Sequence, residues 1–372
     1  MNGDKQTQKA GDNSQLVQAS QVNIYNGIGE DRVREICAET YAVARRDFTA
    51  DAYACANQRV EQFERVLLSR MQQIEGAFSK FADPSFQILL TNAQRSAAAT
   101  ERNADYAMLA ELLVCRITKG ESRKKRAGIS KAIEIVDMVD DDALCALTVA
   151  HAINTLAPAT GDLNSGLKVL DTMFNKLMYT KLPEGDAWIE HLNILDAVRI
   201  NPVSHFNKLE VFYPQALDGY SAVGIRIESE EYRKAIEILS EVNLDKSILV
   251  PNELMEGYVK INVTNKKSIN NIGLAQIDTT AGKMTVVPIA MNEKMIMALH
   301  NVWDLYEKDN EIVNKARSTF MTRWDSYPAL NTLHQWWNKL STAFVITPVG
   351  TALAHTNARR CDNTIPELPL ET

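Results

Sequence analysis

Five cations, Lys119, Arg123, Lys124, Lys125 and Arg126, crowd into one short run of an otherwise acidic chain. Side chains of this type, this close together, can grip phosphate oxygens as a local electrostatic footprint. The run is expected in a turn between helices, beside a helix C-terminus where cations are favoured in any case. Arg123, Lys124, Lys125 and Arg126 are therefore the candidate anion or nucleic-acid residues. Other chemistry-bearing residues are scattered. The histidines His151, His191, His205, His300, His334 and His355 stand singly. His151 falls on the apolar stretch 147–153, where a satisfied core imidazole is expected. Glu190-His191 is a neighbouring pair without a third ligand, which leaves metal binding unsupported. Asp140-Asp141-Asp142 could hold Mg²⁺, but its place just before a helix predicts an N-cap favoured by the helix dipole. Asp304 and Glu307 sit at the surface spacing of a solvated helix face. Trp336-Trp337 beside His334 offers either a stacking platform for bases or a core anchor, and the anchor is the commoner use of such rings. No glycine-rich phosphate loop, nucleophile elbow or His-Glu-x-x-His is found. No catalytic, cofactor-binding or metal residue is expected, and no cofactor.

These residues must be positioned by a chain of 372 residues that is 45% hydrophobic and 23% charged, with a formal charge of −7. That apolar fraction excludes a disordered chain, and 16 Gly with 11 Pro exclude a linker or fibre. The mild acidity argues against a surface coated with nucleic acid or anionic lipid, while leaving room for a local patch. Cys37, Cys55, Cys115, Cys145 and Cys361 form no Cys-x-x-Cys, and four of them fall on apolar faces of expected helices, where a free thiol is a small hydrophobe; a reducing compartment fits. The N-terminus lacks a signal-peptide pattern, and no stretch reaches the ~18 apolar residues of a membrane span. A cytoplasmic protein without membrane insertion is expected.

The fold class expected is mainly α, in five parts. Residues 1–29 carry alternating Val17, Ala19, Val22 and Ile24 with amide neighbours, a period-2 pattern of two short strands bracketed by turns. Such strands are marginal alone, so a small intersubunit β plug is the sharper reading and a frayed tail the plainer one. Over 30–82 a stripe begins Val33, Cys37, Tyr41, Ala44, Phe48 and continues in steps of three or four residues to Phe81. The mean step of about 3.7 lies nearer an 11-residue than a 7-residue repeat. One helix of that length would run roughly 75 Å, as a coiled-coil-like element between chains or kinked onto its own chain. The oligomer-interface candidates are accordingly Val17, Val22, Ile24, Val33, Cys37, Tyr41, Ala44 and Phe48. Residues 83–200 read as an array of helical hairpins with short connections, opening at Asp83-Pro84. Residues 201–358 read as a smaller α+β domain. Its strands are expected at 221–227, 257–263, 284–289 and 343–346, with helices at 230–242, 292–324 and 348–358. Residues 359–372 read as a tail.

The run Phe344-Val345-Ile346-Thr347-Pro348-Val349-Gly350 resembles the strand–Thr-x-x-Gly–helix ending of winged-helix proteins and of several abortive-infection-associated bacterial families. Residues 11–24, Arg59-Val60-Glu61-Gln62-Phe63, Phe81-Ala82-Asp83-Pro84 and 350–360 together resemble one uncharacterised family of the bacterial accessory genome. That resemblance spans nearly the whole chain and implies a setting in phage defence. It brings no catalytic residue.

The reading is a homo-oligomeric binding, sensing or scaffold protein, most simply a trimer. The first alternative is a nucleic-acid binder using the basic turn or the winged-helix-like end. The second is an enzyme whose residues converge only in three dimensions.

Overall fold

The computed structural model describes residues 28–44, 49–119, 123–278 and 285–367. Val17, Val22, Ile24, Phe48 and the side chain of Ala44 lie outside the described residues. The expected single helix over 30–82 is a correction. The stripe is carried by α1 (Glu30–Ala44) and α2 (Ala50–Gln72), followed by a 3₁₀ segment (Ala77–Ala82). Gly76, at φ +72°, makes the turn from α2 into the 3₁₀ segment, a conformation open to glycine at little cost.

The stripe is also covered by its own chain. Val33, Cys37, Tyr41, Val60, Phe63, Leu67, Met71 and Phe81 are all buried. The covering elements are α3 (Pro84–Ala99), against α1 and α2, and α4 (Asn103–Lys119), against α2. Gln94 of α3 stitches all three helices, donating from Nε2 to the Cys37 carbonyl at 2.9 Å and to Glu64 at 2.8 Å. Val33, Cys37 and Tyr41 therefore belong to an intrachain core rather than to a free seam between copies.

The helical array follows as read from the sequence, because caps and apolar faces agree. Asp83 accepts from the Ser85 amide, and Pro84 opens α3. Next come α5 (Arg123–Ile135), α6 (Asp141–Thr155), α7 (Leu163–Leu177) and α8 (Ala187–Ile194). The acidic triplet is a cap: Asp140 accepts from the Asp142 amide, and Asp141 and Asp142 fill the first turn of α6.

Strand β1 (Val198–Ile200) leads to α9 (Leu209–Ala216), α10 (Asp218–Ser221), β2 (Ile225–Arg226) and α11 (Glu230–Glu241). Then come β3 (Leu249–Pro251), β4 (Tyr258–Ile261), β5 (Ala275–Asp278), β6 (Thr285–Pro288) and α12 (Glu293–Asp304). The chain closes with α13 (Asn310–Asp325), α14 (Pro328–Trp337), β7 (Phe344–Ile346) and α15 (Pro348–Cys361). The expected helix over 292–324 is thus broken, since Asp309 caps α13 by accepting from the Glu311 and Ile312 amides.

Among the described residues the strands form three small antiparallel sheets, ordered β2-β4-β3, β5-β6 and β1-β7. Pairing of β1 with β7 corrects the expected division at residue 200. One apolar core holds buried residues from Val33 to Tyr220 and takes up the chain again from Phe320 to Ile365, with Leu254 the one buried residue it draws from between them. The second, smaller core holds buried residues between Ile225 and Tyr306 only. The α+β unit is therefore an insertion, and α13, α14, β7 and α15 complete the helical array.

Helix α15 is enclosed by α4, α5 and α6. Its residues 353–358 are buried, and only Pro348 is exposed. Helix α15 is thus largely covered by its own chain, with Val349, Thr351, Ala352 and Arg359–Cys361 half-buried. Among the described residues, no helix is long and apolar enough to cross a membrane.

Candidate polyanion-binding site

Arg123, Lys124, Lys125 and Arg126 are not in a turn: they form the first turn of α5. Lys and Arg are good helix formers, so the helix starts with them. The amide groups of a first turn have no intrahelical acceptors and mark the positive end of the helix dipole. Helices α1, α6, α11, α12 and α13 place acidic residues in their first turn, whereas α5 has none there. Each exposed cation at such an end is unfavourable by about 0.3–1 kcal/mol, a cost that a bound anion reverses.

The elements beneath hold this terminus firmly. Ile129, Ala132 and Ile133 are buried, and α5 packs on α3, α4 and α15. A Cβ added at Gly128 would meet the Pro348 side chain and carbonyl at 3.1 Å, so α5 and α15 lie in close contact there. Arg123 is exposed and Arg126 half-buried. Arg116 extends the positive surface from α4, and its guanidinium donates to the Ser85 hydroxyl at 3.4 Å. Burial holds the Arg116 guanidinium below its ordinary pKa, the charge of Arg126 adds to that shift, and Asp83 opposes it. Arg126 and Arg116 thus repel one another across α4 and α5. The arrangement can hold phosphate or another polyanion by charge and amide donation.

The remaining polar side chains are largely internal ties. His151 meets His355, with Nε2 and Nδ1 3.2 Å apart, and Asn357 donates to the Thr148 hydroxyl at 2.9 Å. Both contacts join α6 to α15. Lys260, 3% exposed, donates from Nζ to the Gly219 and Tyr220 carbonyls at 2.9 Å each. Burial lowers its pKa to about 8, partly offset by Glu253 and Asp162. His334 is bracketed by Asp325 at 2.7 Å and Glu210 at 3.1 Å. Its burial opposes protonation, but the two carboxylates prevail and its pKa lies above the ordinary value.

His191 accepts from the Asp140 amide, and His300 pairs with Asn270. Trp336 and Trp337 are core anchors, 8% and 5% exposed, with their indole N–H groups donating to the Pro183 and Asn207 carbonyls. Sequence reasoning missed Lys260 and the partner of His151. Lys260 stands within a short β pattern and gives no local sign of burial.

A protein-family model described as ":-like" matches residues 27–369. No curated protein and no solved structure matches the chain.

Proposed function

The chain belongs to the ":-like" family, matched over residues 27–369, and for this member we propose a binding role: it holds nucleic-acid phosphates on the first turn of α5. The carrying observation is the run Arg123-Lys124-Lys125-Arg126 at a helix N-terminus with no acidic residue in that turn. A first turn offers amide donors without intrahelical acceptors, and cations in that turn add positive charge, as phosphate recognition requires. Arg116, crowded by Arg126, extends the same surface.

The test is fluorescence polarisation with a labelled B-DNA duplex over a salt series, on the full chain and on the Arg123/Lys124/Lys125/Arg126→Ala variant. Log affinity should fall with log salt by about 0.9 per phosphate contacted, and the variant should lose several contacts' worth of slope. Equal binding and equal slope in the two proteins would sink the proposal.

Assembly of identical chains, most simply as a trimer through residues 11–24, is the second part of this reading. It rests on the period-2 alternation of Val17, Ala19, Val22 and Ile24 with amide neighbours. A scaffold that multiplies weak phosphate contacts by avidity suits both features. The finer setting in bacterial phage defence rests on the family resemblance. Plaque counts in cells carrying the parent or the quadruple alanine variant would test it, and equal protection by both would separate defence from the basic turn.

A further inference from the structure

Beside the β1–β7 pair lies a cleft of about 280 Å³ that the basic helix terminus does not explain. Three chain segments converge on it. Asp186 and Glu190 come from the start of α8, Asn201, Ser204 and His205 from the loop after β1, and Ser341 and Thr342 from the segment before β7. Ile200, Pro202 and Ala343 supply its apolar wall. Its form is set by ordered packing. Ile200 pairs with Phe344, the Asn201 amide donates to the Ala343 carbonyl at 2.8 Å, and Trp188 of α8 packs edge-on against Phe344.

Asp186 occupies the N-cap position of α8 but makes no capping bond. An aspartate there ordinarily accepts from the second or third amide, a contact worth about 1 kcal/mol. Its carboxylate instead turns across the cleft, accepting from the Ser341 hydroxyl at 2.8–2.9 Å and from Thr342 at 2.8 Å. A local rule broken in this way is a mark of a functional position. Glu190 follows four residues later, on the same side of the helix and exposed. The lining contains these two carboxylates and no lysine or arginine.

We propose that this cleft binds a short aliphatic diamine or polyamine. One ammonium group sits on the Asp186 carboxylate, which lines the cleft beside the two hydroxyls. The second sits on Glu190, one helical turn away. The methylene spacer lies along Ile200, Pro202 and Ala343. A volume just under the usual range for ligand pockets suits a molecule of this size. Two carboxylates beside an apolar wall suit a two-ended cation better than a compact divalent ion, which takes six or more oxygen ligands at once.

The experiment is isothermal titration calorimetry of the full chain with 1,4-diaminobutane, then with 1-aminobutane and Mg²⁺. One saturable site for the diamine is expected, with binding at least tenfold weaker for 1-aminobutane and for Mg²⁺. Glu190→Gln should weaken the diamine at least tenfold without lowering the melting temperature, because Glu190 is exposed. Asp186→Asn should do the same, with some loss of stability from the hydroxyl contacts. Glu237→Gln, an exposed acid on α11, should change nothing. Absence of saturable heat at millimolar diamine overturns the proposal. So does unchanged affinity in Glu190→Gln, or equal binding of 1-aminobutane or Mg²⁺.

Discussion

His151 Nε2 and His355 Nδ1 lie 3.2 Å apart across 204 residues of sequence, joining α6 to the last helix of the chain. His355 Nε2 donates onward to the Pro366 carbonyl at 3.1 Å. That contact leaves Nδ1 of His355 as acceptor and assigns the shared proton to His151 Nε2. The pair therefore fits two neutral imidazoles.

This geometry predicts a pH dependence of stability. Burial first, and then the charge of His355, pull the pKa of His151 from its ordinary 6.5 down to about 4. Between these values the unfolded chain takes up a proton that the folded chain refuses. Stability is thus fully present above about pH 6.5, falls as pH drops towards 4, and changes no further through this group below that. The loss amounts to about 3.5 kcal/mol at most, at ~1.4 kcal/mol per pKa unit. Melting temperatures from pH 7 to pH 4 should fall less steeply in His151→Gln than in the parent. Parallel curves would refute the assignment.

Lys260 makes a second prediction. Its Nζ joins β4 to the Gly219 and Tyr220 carbonyls, at the boundary of the two cores. Lys260→Met keeps the length and apolar stem but leaves two carbonyls without their donor. It also removes the cation that faces Glu253 and Asp162. Unmet buried acceptors cost about 1–3 kcal/mol each. Urea denaturation should show a midpoint lowered by an equivalent of about 2 kcal/mol or more. An unchanged midpoint would mean that the ammonium's desolvation offsets all it donates.

Many of the helices could be read locally, and the reason is visible in α3 of the array and α11 of the inserted unit. Each has a capping residue (Asp83, Ser229) ahead of an apolar face, so cap and periodicity agree within one stretch of sequence. The break at Asp309 was missed because the apolar steps continue in α13, although Asp309-Asn310-Glu311 carries a cap. The basic run reads as a turn on charge alone, whereas the helix propensity of Lys and Arg carries it into α5. What no local pattern encodes is which faces meet. The stripe from Val33 to Phe81 suits an outside helix as well as α3 and α4, and only packing decides. The pairing of β1 with β7, which returns the chain to its first core, is likewise a relation between distant residues. For the site, cation identity was legible and its placement at a helix start was not.

Gly350 yields a third prediction. A Cβ built there would stand 2.0 Å from the Ala197 carbonyl oxygen, a backbone atom that cannot swing away. The close approach lets Thr347, which caps α15, donate from its hydroxyl to the Asp196 and Ala197 carbonyls. Gly350→Ala should therefore destabilise by about 1–3 kcal/mol, the usual cost of overpacking. Gly29, with nothing within 4 Å of an added Cβ, is the matched control, and Gly29→Ala should stay within about 0.5 kcal/mol. Equal melting temperatures for the two variants would contradict the close contact.

The last prediction separates folding from assembly. Val33, Val60, Phe63 and Leu67 are each at most 1% exposed within a single chain, so the stripe needs no second copy to cover it. A chain beginning at Glu30 should keep the parent's helical circular dichroism and its cooperative melt. If residues 11–24 tie copies together, light scattering should give an oligomer for the full chain and a monomer for the shortened one. Phe63→Ala should then lower the stability of both by about 3–5 kcal/mol, because the cavity lies inside one chain. It should leave the oligomeric state of the full chain alone. A shortened chain that unfolds would show that the stripe depends on assembly. A shortened chain that stays oligomeric would move the contact from the N-terminal segment to the helical surface.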